Sequence, residues 1–134
     1  MYISIFFYSL SYCLMVIYMF NYLKSIIYTI SIILISTIIL TVFNYFNIIN
    51  GITLKIITLI IPLLGISIGS FILGKASNQK GYIEGLKYGV IWILVLLITN
   101  LIIKNFILTS LIYYLIIIII SSFAGVLGIN RKKN

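Results

Sequence analysis

Residues 74–89 read GKASNQKGYIEGLKYG, and this stretch decides how the whole chain is laid out. It holds Gly74, Gly81, Gly85 and Gly89, three lysines, and Glu84, the only acidic side chain in the sequence. On either side the chain is an almost unbroken run of Ile, Leu, Val and Phe. Polarity gathered into one short segment between long apolar ones marks a connection between two buried spans.

Composition says what those spans are buried in. The chain is 63% hydrophobic and 7% charged, with a mean hydropathy of +1.31. A water-soluble domain of this composition lacks the polar residues to cover its own surface. Bilayer hydrocarbon suits it, and a helical crossing takes about 20 predominantly apolar residues. Backbone groups in lipid must be satisfied internally, which leaves helices or closed barrels. The apolar runs are continuous rather than alternating, so the expected fold is all-α, an integral membrane helical bundle forming a single transmembrane domain.

Four spans are read at about 25–46, 56–74, 83–105 and 109–129. The first twenty residues, MYISIFFYSLSYCLMVIYMF, are equally apolar and uncharged. They fit a fifth span that turns back within NYLKS, or an extension of the first helix. A third reading starts translation at Met19, so that a short polar lead with one lysine precedes the first span. The positively charged start of a secretory signal is missing.

Basic residues then orient the bundle. Lys24, Lys75, Lys80, Lys87, Arg131, Lys132 and Lys133 fall on one side, against Lys55 and Lys104 on the other. The richer side is expected in the cytoplasm, which places the 75–83 loop and the C-terminus inside a cell membrane. The formal net charge of +8 does not indicate nucleic acid, because the basic residues are scattered singly between spans and form no face or groove.

Within the opening stretch, Ser77 or Asn78 is the expected cap of the third helix. Glu84 then lies in the first turn, favoured by the helix dipole, with Lys80 and Lys87 on its face. Gly81, Gly85 and Gly89 repeat every four residues and make a stripe that lets helices approach closely. Gly65, Gly69, Ser70 and Gly74 form a matching stripe on the second span. Ser121 with Gly125, and Ala124 with Gly128, do so on the fourth. The expected core is a seam where these halves of spans two, three and four meet. Pro62 lies mid-span in the second helix. Asn100 and Thr99 can bridge to a neighbouring helix, and Tyr113 and Tyr114 fit an interfacial belt. Glu84 and Asn100 are the candidate polar sites.

The segments GSFILGKASNQKGYIEGLKYGVIWILV and FAGVLGINRKK resemble a family of small four-span bacterial membrane proteins of unknown function, known mainly from low-GC Gram-positive bacteria. The resemblance rests on Gly74, Lys75, Lys80, Gly81, Gly85 and Gly89, then Gly125, Gly128, Asn130 and Lys132, and covers about residues 20–134. It implies a topology and no activity.

An enzyme is not expected. General acid–base chemistry draws mostly on His, Asp or Glu, and the chain has no histidine and one glutamate. Cys13 is the single cysteine, which excludes an intrachain disulfide and a thiolate cluster; no cofactor or metal is implied. The leading expectation is a non-enzymatic, multi-pass plasma membrane protein that acts by assembly in the lipid bilayer, as a homo-oligomer or within a larger membrane complex. The alternative is a small oligomeric transporter or channel. Glu84, placed near the membrane surface by sequence, counts against that alternative, since coupled transport favours an ionisable group within the membrane. A holin-like pore former is the third reading.

Overall fold

The computed structural model describes residues 2–77, 80–104 and 109–133, with every side chain but those of Thr109, Lys132 and Lys133. The described residues form four helices: α1 (Tyr2–Tyr45), α2 (Gly51–Ala76), α3 (Gly81–Ile103) and α4 (Thr109–Lys133). Each contains a stretch long and apolar enough to cross a membrane. The protein is an all-α bundle of four candidate spans.

The N-terminal segment does not turn back. α1 runs through NYLKS as a single 44-residue helix. Nothing before Tyr45 would break it, since the first glycine is Gly51 and the single proline is Pro62. At 1.5 Å per residue α1 is about 66 Å long, roughly twice the thickness of bilayer hydrocarbon. Its N-terminal third is a bare apolar rod, beginning with Tyr2 at 90% exposure. Just past that third, α1 carries side chains level with the start of α3.

Short connections force the helices to alternate in direction. One end of the bundle therefore gathers Lys24, Lys75, Lys80, Lys87 and Arg131, and is called the basic end below. α4 packs along both α2 and α3, while α1 packs along α2. Towards α3, α1 reaches with its side chains rather than its backbone.

Glycines allow the closest approaches. A Cβ on Gly125 would fall on the Gly81 carbonyl oxygen and lie 3.0 Å from the Gly85 Cα. On Gly74 it would meet Gly125 itself, and on Gly128 it would meet the Phe71 carbonyl. Ser121 ties the same three helices. Its hydroxyl donates to the Gly85 carbonyl, and its own carbonyl accepts from the Ser70 hydroxyl at 2.6 Å. Gly65 and Gly69 serve a different contact, facing Ile33, Thr29 and Tyr88. Below the seam Ile66, Leu73, Tyr88, Tyr114 and Ile117 form the buried core.

Two local expectations change. α2 continues to Ala76, so Ser77 closes that helix, its N–H donating to the Gly74 carbonyl at 3.3 Å. Lys80 is the residue that opens α3, without a side-chain cap; Asn78 lies outside the described residues. At the other end, Tyr113 and Tyr114 tie helices together. Tyr113 donates to the Leu59 carbonyl at 2.8 Å, and Tyr114 accepts from Asn100 Nδ2 at 2.6 Å. Thr99 bonds within its own helix, to the Val95 carbonyl.

Candidate functional site

Only one carboxylate exists in the chain, and the fold encloses it. Glu84 sits in the first turn of α3 with 0% exposure. Sequence places it near the membrane surface, in the first turn of α3; the structure adds that the protein itself encloses it there. What covers it is α1, whose extension past the first expected span brings Tyr18 and Tyr22 over the start of α3. The two tyrosines stand four residues apart, on one face of their helix, with ring centroids 5.1 Å from each other. Tyr18 donates to Oε1 at 2.5 Å, and Tyr22 donates to Oε2 at 2.7 Å. Each carboxylate oxygen thus has its own donor from another helix.

Lys87 completes the group from outside. Its ammonium lies 3.9 Å from Glu84 Oε1 and 3.4 Å from the Tyr18 hydroxyl, and its side chain is 50% exposed. Lys80, the other lysine expected beside Glu84, is the helix-opening residue and is exposed. A cavity of about 280 Å³ opens beside the carboxylate, lined by Leu14, Ile17, Tyr18, Asn21, Leu73 and neighbours. Apolar walls around a single carboxylate strengthen every electrostatic interaction it makes.

Polar groups continue inward from this point along the same face of α1. Tyr18, Tyr22, Ser25 and Thr29 follow at intervals of four, three and four, which is the spacing of one helical stripe. Thr29 donates to the Gly65 carbonyl at 3.1 Å. Its one proton being used there, Thr29 Oγ1 accepts from the Tyr88 hydroxyl at 2.6 Å. Tyr88 is fully buried one turn beyond Glu84 on α3, and Thr29 is fully buried too. Between these two rungs lies Ser25, fully enclosed, and among the described residues its hydroxyl has no hydrogen-bond partner. Such an orphaned group is uncommon in a close-packed interior.

Past Gly65, where Ile33 fills the gap between α1 and α2, a second cavity of about 300 Å³ opens. It is lined by Thr37, Thr41, Asn44 and Thr58 among others, and by Pro62. Proline has no N–H to return to the carbonyl one turn before it, which is that of Thr58. The α1–α2 seam therefore has a mostly apolar cavity toward each end, each touched by a few polar side chains, and a hydrogen-bonded, side-chain-filled constriction between.

The family model described as "Protein of unknown function (DUF3792)" matches residues 18–128. The chain belongs to that family. The DUF3792 match begins at Tyr18, so Tyr18, Tyr22, Ser25, Thr29, Glu84, Lys87 and Tyr88 all fall inside it. No curated protein and no solved structure matches the chain.

Of the sites expected from sequence, Glu84 is joined to Lys87, as its spacing suggests, and to Tyr18 and Tyr22, which local spacing does not reveal. Asn100 is elsewhere, near the opposite end, beside a cleft of about 460 Å³ with Tyr113 and Tyr114. Gly74, Gly81, Gly85, Gly89, Gly125 and Gly128 are brought together in the α2–α3–α4 seam, while Gly65 and Gly69 face α1. Tyr18, Tyr22, Ser25 and Thr29 carried one readable signal, their four-three-four spacing along a predominantly apolar helix.

Proposed function

We propose that this DUF3792 member is a non-enzymatic, multi-pass membrane protein that passes protons across the bilayer, with Glu84 as the group that takes and releases them. The observation that carries this reading is the enclosed carboxylate held by Tyr18 and Tyr22 at the head of a polar stripe. An ionisable side chain buried in a membrane bundle is costly, and such residues mark ion and proton pathways. Hydroxyls of Tyr22, Ser25, Thr29 and Tyr88 lie at successive turns beyond it, and each both donates and accepts. Lys87, half in solvent, stands at the mouth. On this reading the basic end faces the cytoplasm of the cell, as the excess of lysines there favours. The test is acidification of proteoliposomes under an imposed membrane potential, comparing wild type with Glu84→Gln.

Assembly with a second copy or a larger membrane complex is the second reading. One observation favours it: the first third of α1 is exposed and apolar on all sides. The glycine stripes do not add to it, because the seam glycines already face backbone or side chains of their own chain. Native mass spectrometry after gentle extraction tests it, a monomer without partners counting against assembly.

A further inference from the structure

Positive charge at the basic end outnumbers the acidic side chains the sequence offers it. Glu84 is the only acidic side chain in the sequence, and Lys87 is its ion-pair partner. Lys24 of α1 and Lys75 of α2 meanwhile line one groove of about 400 Å³, together with Asn21, Tyr28, Ile72 and Ala76. Two like charges on one groove repel, so the site favours an anion.

The order of side chains along the groove specifies the kind of anion. Tyr28 lies one turn deeper on α1 than Lys24, and Ile72 lies one turn deeper on α2 than Lys75. Cationic groups therefore stand at the end of the bundle, with an aromatic ring and a branched apolar side chain inward of them. Asn21 supplies an amide at the charged level. A phospholipid has the same polarity, with a phosphate at head-group depth and an acyl chain running inward. Basic pockets between spanning helices recognise lipid head groups in this manner.

We propose that the Lys24–Lys75 groove between α1 and α2 is a binding site for an anionic phospholipid. Its phosphate is held by the two ammonium groups, and its chain lies against Tyr28 and Ile72. The groove adjoins the Glu84 cavity, sharing Asn21 and Ala76 with it, but Lys24 and Lys75 take no part in the Glu84 group, and the proposal does not depend on how that group functions.

Native mass spectrometry of the full chain in detergent tests this directly, with phosphatidylglycerol or phosphatidylethanolamine added at equal concentration. Wild type should retain phosphatidylglycerol in preference. Replacing both lysines (K24Q with K75Q) should weaken that retention on the order of tenfold. The charge-preserving pair K24R with K75R should keep it, as should Lys55→Gln at the opposite end. Equal retention of the two lipids would overturn the proposal, as would an unchanged double variant or an equal loss in Lys55→Gln. Displacement of the lipid by millimolar inorganic phosphate would also overturn it, by making the site one for free phosphate. Should K24Q with K75Q fail to fold, the single variants carry the same comparison, each with a smaller loss.

Discussion

The hydroxyl of Tyr22 lies 2.7 Å from Glu84 Oε2, joining residues 62 positions apart in the chain. That contact binds α1 to α3 even though their backbones do not pack together. Replacing Glu84 by Ala removes the acceptor from both tyrosines at once. Hydrogen bonds to a charged group contribute about 1.5–3 kcal/mol each, and with Tyr22 half-buried and Tyr18 exposed the lower end applies, so Glu84→Ala should be less stable than wild type. Lys87→Ala, at a half-exposed position, should cost under about 1 kcal/mol. Thermal unfolding in detergent, followed by circular dichroism, separates the two.

Tyr88 and Thr29 give an ordered pair of outcomes. Tyr88→Phe loses one hydroxyl and leaves Thr29 bonded to Gly65, a loss of about 1 kcal/mol. Thr29→Val strands the buried Tyr88 hydroxyl and takes the second donor from the Gly65 carbonyl, which keeps its own helix bond, and should cost about 2 kcal/mol. The same unfolding measurement checks the order, and a Tyr88→Phe protein less stable than Thr29→Val would refute it.

Glycine replacements should follow the clearance at each position. Gly51→Ala meets nothing within 4 Å and should be neutral to within about 0.5 kcal/mol. Gly89→Ala meets the Ser121 side chain at 3.1 Å and needs only a small shift. Gly125→Ala drives a methyl into α3 backbone that has nowhere to yield. Its cost should reach the top of the about 1–3 kcal/mol range for overpacking, or exceed it.

Much of the architecture was legible from composition, because hydrocarbon leaves so few solutions for a continuous apolar chain. The glycine stripes were legible too, since glycines at fours mark one stripe of a helix, but not which neighbour each one faces: Gly65 and Gly69 turn to α1 and Tyr88 instead of to the α2–α3–α4 seam. The extent of α1 was not, because apolarity alone does not distinguish a long helix from a helix pair. Absence of Gly or Pro before residue 46 was the available clue. The enclosure of Glu84 was hidden for a related reason. Its covering tyrosines lie on a different helix, and Lys87 was the one partner that local spacing revealed. Ser77 misled in the opposite direction: a good capping residue in a short loop closed the helix behind it rather than opening the one ahead.

Ser25 separates stability from function. Its hydroxyl is buried and, among the described residues, unpartnered. Ser25→Ala removes a desolvated polar group, so stability should hold or rise by up to about 1 kcal/mol. Proton flux should fall in the same variant if the hydroxyl belongs to the path. A protein that is both stable and fully active would take Ser25 out of it.

Proton flux through Glu84 is the most direct measurement. Wild type and Glu84→Gln would be reconstituted at equal density, and lumenal pH followed with a trapped dye after a potassium–valinomycin potential is imposed. The proposed function predicts acidification by wild type well above empty vesicles, and none above that background with Glu84→Gln. Wild-type vesicles indistinguishable from empty ones, or equal flux in the two proteins, would contradict it.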